Sequence, residues 1–409
     1  MSYRDKITNF LILLPVIWLF TGLFWLENGD KNLVALVVVS ILASVFKYKF
    51  DIAKINIKSN KFSMILFIAS VHAVIAYEVY GFGQSELRAL ISALLFSIFF
   101  PTHLLNKKLF LYLLPLSSIG TLASLIWQLE VLQLSRLKLV INAIPLATFC
   151  AALAIITFET ALNSEKRKHK VLLFGSSLIA LISMTYTGSR GVWLAMAVLA
   201  ILTVIRFIKD KNSVKLTRNK IILIFFAATC SLFFSYEPIN NRYNATMHEF
   251  KLMEKGVKDS SIGLRLQMWR AGVLITKSAP ILGVGDRHSE IIKELHNKNL
   301  VHKSLITFKV RHYHNQYIDK LVKNGILGLI IFLIVLFSPL WFSYRSNSKE
   351  KFIITCMVVL FAIAALTDVP LSQSSTAPLF LFMISILLNK NSTIPKEEKI
   401  YTQEGKLCE

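Results

Sequence analysis

The residues of this 409-residue chain best suited to chemistry on a charged substrate are four arginines and one histidine: Arg88, Arg136, Arg190, Arg265 and His314. Arginine matches phosphate well, because its planar fork donates two parallel charge-assisted hydrogen bonds and stays protonated at any physiological pH. Several converging arginines therefore imply an anionic ligand. Taken singly, each has an ordinary alternative, which is to snorkel to lipid headgroups or to sit against a helix C-terminus. Arg190 is the most informative, since Thr187-Gly188-Ser189-Arg190-Gly191 is a tight turn whose glycines permit close backbone approach before the next helix starts with exposed N–H groups. His314 is the candidate proton acceptor, as imidazole titrates near neutral pH. Its neighbours His288, His296, His302 and His312 read as solvated loop residues.

These side chains must be positioned by apolar helices. At 54% apolar, the composition decides little, but the residues fall into blocks close to the ~20 that a helix needs to cross a bilayer. The mean hydropathy of +0.56 agrees. Lipid cannot satisfy backbone polar groups, so Leu-, Ile- and Phe-rich blocks of this length predict helices. The expected spans are 8–26, 32–46, 62–80, 88–105, 109–128, 139–162, 171–187, 190–208, 221–236, 322–343, 352–368 and 376–389. The fold class is thus all-α, a polytopic membrane protein of about twelve transmembrane helices.

Charge alternates between the gaps, which the span assignment did not require. Lys47 to Lys61, Lys107-Lys108, Lys166 to Lys170, Lys209 to Lys220 and Arg345 to Lys351 are basic; the intervening gaps hold only Lys31, Arg88, Arg136, Lys138 and Arg190. The positive-inside rule places the basic gaps and both termini in the cytoplasm and the segment 237–315 outside. The net charge of +22 with a pI near 9.8 is then a matter of topology, not of nucleic-acid binding. The division expected is 1–236 as transmembrane helices 1–9, 237–315 as one large helical outward segment, 316–389 as transmembrane helices 10–12 and 390–409 as a cytoplasmic tail.

Within the outward segment, Glu237-Pro238 and Asn240-Asn241 predict a turn, followed by a polar helix near 244–255. Ser260 or Ser261 caps a second helix, in which Arg265 and Trp269 stack one turn apart, and Pro280 with Gly283-Val284-Gly285 ends it. Trp269 has two readings, packing or stacking on a sugar ring, with packing favoured. Cys150, Cys230 and Cys356 lie in spans and Cys408 in the tail, so no outward disulfide is expected. No CxxC, HExxH or DxD run is present, so neither a metal site nor a cofactor is expected. The first apolar block is long and precedes no small-residue cleavage site, which predicts a retained first helix.

His314-Asn315, nine residues, Gly325, two residues and Gly328 resembles the signature of the O-antigen ligase family of Gram-negative inner-membrane glycosyltransferases. Arg265-xxx-Trp269 followed by Pro280-xx-Gly283-Val284-Gly285 is similar to the wider ligase and polymerase superfamily, and Thr187-Gly188-Ser189-Arg190 is similar to the family's arginine turn. The resemblance implies transfer of a glycan from undecaprenyl diphosphate to a hydroxyl of the lipid A core, in the periplasm. It also implies a base at His314 and diphosphate-binding arginines at Arg190 and Arg265, with membrane lipids as surroundings. The residues themselves suit the same roles: with no acidic metal cluster in sequence, the arginines neutralise the leaving diphosphate, His314 takes the acceptor proton, and one displacement inverts the anomeric centre. Arg136, Arg88, Asn315, Tyr317 and Trp269 complete the candidate substrate-binding set, while Gly325 and Gly328 read as packing residues. Alternatives are an O-antigen polymerase, a protein O-oligosaccharyltransferase, or a non-enzymatic transporter of lipid-linked sugar.

Overall fold

The computed structural model describes residues 2–389 other than 82, 210–217, 258, 347 and 349, without the side chains of 137 and 218–234. The expected tail with Cys408, most of the basic gap after Lys209, and the side chains of 221–234 with Cys230 fall outside the described residues.

Helix follows helix from end to end, with no strand among the described residues. The first half comprises α1 (Tyr3–Leu19), α2 (Gly22–Trp25), α3 (Gly29–Tyr48), α4 (Asp51–Ser59), α5 (Lys61–Tyr80), α6 (Gln84–Phe99), α7 (Lys107–Ile126), α8 (Ala143–Leu162) and α9 (Arg167–Tyr186). The second half comprises α10 (Arg190–Lys209), α11 (Arg218–Glu254), α12 (Ser261–Thr276), α13 (His288–Asn297), α14 (Ser304–Phe308), α15 (Gln316–Arg345), α16 (Lys351–Ala364) and α17 (Thr376–Asn389). Among the described residues seven helices are long and apolar enough to cross a bilayer: α3, α5, α7 with its extension to Val131, α8, α9, α10 and α15. α16 and α17 are shorter apolar helices. The chain is an all-α, multi-pass membrane protein, and every expected span overlaps a helix.

α8 is the hub. Its run of alanines lets neighbours approach closely, and it is buried along almost its whole length against α7, α9, α10, α16 and α17. The outer spans leave one face of Leu, Ile, Val and Phe exposed, as lipid contact requires.

Two elements differ from the sequence expectation. The turn predicted at 237–241 is absent, because α11 runs unbroken from Arg218 to Glu254 with Pro238 inside it. Turn propensity is a local preference, and the helix overrides it here. The helix that carries the tenth span starts at Gln316 and is broken at Gly325, whose φ of 64° and ψ of −164° are non-helical. The loop 280–284 fills that break: Ile326 N–H donates to the Pro280 carbonyl at 2.8 Å and Val284 N–H donates to the Val322 carbonyl at 2.9 Å. A Cβ on Gly325 would meet the Ile281 carbonyl oxygen at 2.2 Å, and one on Gly283 would meet the Lys323 backbone at 2.4 Å. Two backbones touch here, so the motif glycines at 283 and 325 are one device that locks the loop after α12 to α15.

Candidate active site

The histidine segment is held from three directions. Tyr313 is fully buried, its N–H donating to Asp319 Oδ1 at 3.2 Å and its carbonyl accepting from Trp269 Nε1 at 3.0 Å. Asn315 then caps α15, its Oδ1 accepting from the N–H groups of Tyr317 and Ile318. Between these anchors His314 takes a left-handed backbone with φ of 46°. A bulky residue adopts that conformation only where its surroundings impose it, and such strain gathers at functional positions.

His314 Nδ1 lies 3.4 Å from Oδ1 of Asp368, in the turn between α16 and α17. Neither atom has a hydrogen-bond partner among the described residues, so the pair stands at ion-pair distance with its alignment incomplete, a common state before substrate binds. Asp368 is buried and its other oxygen accepts from Gln373 Nε2 at 2.8 Å. Burial alone would raise its pKa, but His314, His312 and Gln373 outweigh that and hold it below the usual carboxylate value. The His312 ring meets His314 edge-on at 4.3 Å, and its pKa is lowered by burial first and by His314 second. His312 is therefore no solvated loop residue.

On the same end of the bundle, four guanidinium groups gather. Arg136 donates from Nε to the Thr187 carbonyl. Both side chains lie against Gly188, where a Cβ would make ordinary contacts at 3.5 Å with Arg136 Nε and 3.8 Å with Arg242 Cδ, so it is the φ of 63° and not lack of space that calls for glycine in this turn. Arg190 donates to Thr246 Oγ1 at 2.8 Å and pairs with Glu249 at 3.3 Å. Arg265 has no hydrogen-bond or ion-pair partner among the described residues, and the buried Nε of Arg242 is unpartnered too. Their electrostatics report the crowding: burial, then Arg242, Arg190 and Arg265, push Arg136 down to about 10, still protonated at neutral pH. Arg265 is lowered by burial, with Asp368 opposing, so the arginine group and the histidine–aspartate pair feel each other's charge. Glu249 is the only carboxylate paired within this group among the described residues, which leaves a strongly cationic cluster.

Of the candidates from sequence, the structure brings together Arg136, Arg190, Arg265, His314, Asn315 and Trp269. Trp269 positions the histidine backbone through its N–H. Tyr317 points away, donating to the Ala362 carbonyl at 3.0 Å and packing on Phe332. Arg88 is elsewhere, paired with Asp30 at 3.5 Å. Sequence reading missed Arg242, His312 and Asp368. Arg242, Thr246 and Glu249 recur on one helical face, a signal hidden once a turn is placed at 237–241. Asp368 was read as a span end, although a carboxylate there is costly without a partner.

No metal motif was visible in sequence, yet His312, His314 and Asp368 place three ligating atoms within 4.8 Å of one another. Two imidazoles and a carboxylate can hold a transition metal, or equally a shared proton. Beyond His312 lies a cavity of about 1020 Å³ with a mixed apolar and charged lining, bordered by residues 23–30, 83–86 and 140–145, by α13, the residues 305–312, the first turns of α15 and the turn 369–375.

Residues 175–333 match the sequence profile of the O-antigen ligase family. An uncharacterized protein of Haemophilus influenzae is 26% identical over 276 residues, 64% of this chain and 66% of that protein. The O-antigen ligase of Escherichia coli is 24% identical over 252 residues, 61% of this chain and 59% of that enzyme. The matched parts thus span less than two thirds of either relative.

Proposed function

We propose that this chain, whose residues 175–333 match the O-antigen ligase profile, is a member of that family and transfers a glycan from undecaprenyl diphosphate to a sugar hydroxyl of the lipid A core. In this reading the segment 237–315 and the turns beside it face the periplasm from the bacterial inner membrane, and both termini are cytoplasmic. The observation that carries the proposal is the His314–Asp368 pair set beside a cluster of four arginines, of which Arg265 has no hydrogen-bond or ion-pair partner among the described residues.

Arg265, Arg190, Arg242 and Arg136 hold the diphosphate and neutralise the charge that grows on it as the sugar–phosphate bond breaks. Asp368 favours the proton on Nδ1 of His314, which leaves Nε2 as the accepting atom. The acceptor oxygen attacks the anomeric carbon, its proton passes to His314, and the diphosphate departs with the bonding electron pair. A single displacement inverts the anomeric centre.

The test is reconstitution. Purified protein, lipid-linked glycan and lipid A core should give long-chain lipopolysaccharide without ATP and in the presence of a chelator, and His314→Ala should abolish the product while still reaching the membrane. Product only on protein or on longer lipid-linked chains refutes the assignment. Loss of wild-type activity on chelation, restored by a transition metal, would replace the proton relay by a metal at His312, His314 and Asp368.

A further inference from the structure

Gln316, the first residue of α15, is fully buried and has no part in the transfer steps above. A buried amide is costly unless both of its ends are paired, so its partners are informative. Its Oε1 accepts from the Leu371 N–H at 2.9 Å and its Nε2 donates to Ser372 Oγ at 3.1 Å. A backbone N–H can only donate, which fixes the orientation of the amide. The backbone N–H of Gln316 donates in turn to the Ala365 carbonyl at 2.7 Å.

Ala365, Leu371 and Ser372 bracket Asp368. One residue thus holds the turn between α16 and α17 on both sides of the carboxylate. Ser372 carries the hold further, since its hydroxyl donates to Glu86 Oε2 at 3.0 Å, and Glu86 also accepts from Lys320 Nζ at 2.6 Å, one turn along α15. The start of α6, the start of α15 and the 365–372 turn are joined in this way. His314 stands two residues before Gln316, fixed to the same helix start by the Asn315 cap. The 3.4 Å between His314 Nδ1 and Asp368 Oδ1 is therefore a distance between the head of α15 and the turn that Gln316 clamps to it.

We infer that Gln316 is a positioning residue, whose side-chain amide holds the 365–372 turn so that Asp368 meets His314 Nδ1 and leaves Nε2 to accept the proton. The inference rests on the transfer reading above. Gln316 acts through Asp368, so its side chain matters to the reaction only while that carboxylate is present.

Two measurements on the full chain in detergent test this with Gln316→Met, which keeps the side chain's length and the backbone bond to Ala365 but removes both amide bonds. Hydrogen exchange read by mass spectrometry should show the amides of 366–372 exchanging at least about tenfold faster than in wild type, with α12 unchanged. In reconstituted transfer, kcat should fall about 10–100-fold, as for a misplaced catalytic group, while donor and acceptor KM stay within about twofold. In an Asp368→Asn background the same substitution should cost less than about twofold, because the group it positions is already lost. A merely structural role predicts the full loss in both backgrounds. Ser372→Ala, which removes one of the two amide partners, should give a smaller loss that Asp368→Asn again absorbs, and it decides the matter if Gln316→Met does not fold. Unchanged exchange at 366–372, losses that multiply across the two backgrounds, or a raised KM at constant kcat would each overturn the inference. Faster exchange at 366–372 in a protein whose wild type transfers no glycan supports the hold of Gln316 on the Asp368 turn and counts against the proposed reaction.

Discussion

At the scale of single residues, the site depends on a proton acceptor whose backbone is strained and whose neighbours are charged. Removing the imidazole in His314→Ala should lower kcat by about 10²–10⁴, the usual contribution of a positioned base, with donor KM unchanged. Arg265→Ala tests the other half of the chemistry. Arg265 has no hydrogen-bond or ion-pair partner to lose among the described residues, so the protein should fold normally, whereas transfer should fall by about 10²–10³, as when a donor to developing negative charge is deleted. Arg190→Ala differs in kind, because it also strands the Glu249 carboxylate that Arg190 now pairs with. An unfolding temperature lowered in Arg190→Ala but not in Arg265→Ala would separate a held arginine from a waiting one; equal shifts in both would contradict that distinction. Asp368→Asn should reduce kcat without changing donor KM, and Asp368→Glu should recover part of the loss.

At the scale of elements, the site is set by where two backbones cross. The loop 280–284 fills the break in α15, and α12 sends the Trp269 N–H to the Tyr313 carbonyl. Gly325→Ala adds a Cβ where the Ile281 carbonyl oxygen would be 2.2 Å away, at a φ of 64°. The loop must move, so a loss of stability of at least about 1–3 kcal/mol is expected from the backbone strain alone, readable as a lowered unfolding temperature in detergent. These elements also show what a sequence can and cannot reveal. The His314, Arg190 and Arg265 motifs were legible because their residue types are rare beside apolar blocks and their spacings are local. Lipid likewise writes spans into composition, and the helices follow them closely. The rest was not local. Asp368 meets His314 only because the turn after α16 returns to the start of α15, and Arg242 joins the cluster only because α11 ignores its proline. Arg88 looked equivalent to the others until the fold gave it Asp30.

At the scale of the whole molecule, the apolar bundle is joined by a second, smaller core formed outside the spans by Met268, Ala271, Ile275, Ile292, Leu305, Val310 and Tyr313, closed by Val322 at the head of α15. That core carries the histidine segment, so its integrity and the site's geometry should fail together. His288 gives the core a pH dependence. It is buried, its Nδ1 lies 3.4 Å from the Tyr313 hydroxyl, and its pKa is pushed down to about 4. Burial is the main cause, Lys323 adds to it, and Asp319 and Asp286 oppose. Between about 4 and the ordinary 6.5 the unfolded chain binds the proton and the folded chain does not, so stability rises with pH across that window. It is fully present above about 6.5 and lost as pH falls toward 4, a swing of about 3 kcal/mol at 1.36 kcal/mol per tenfold change in proton affinity. His288→Gln removes the titration. Its unfolding temperature should lie below wild type at pH 7, where the Tyr313 contact is weakened, and the gap should close or invert by pH 4.5. Parallel pH profiles for the two proteins would mean that His288 is not held neutral by the folded core.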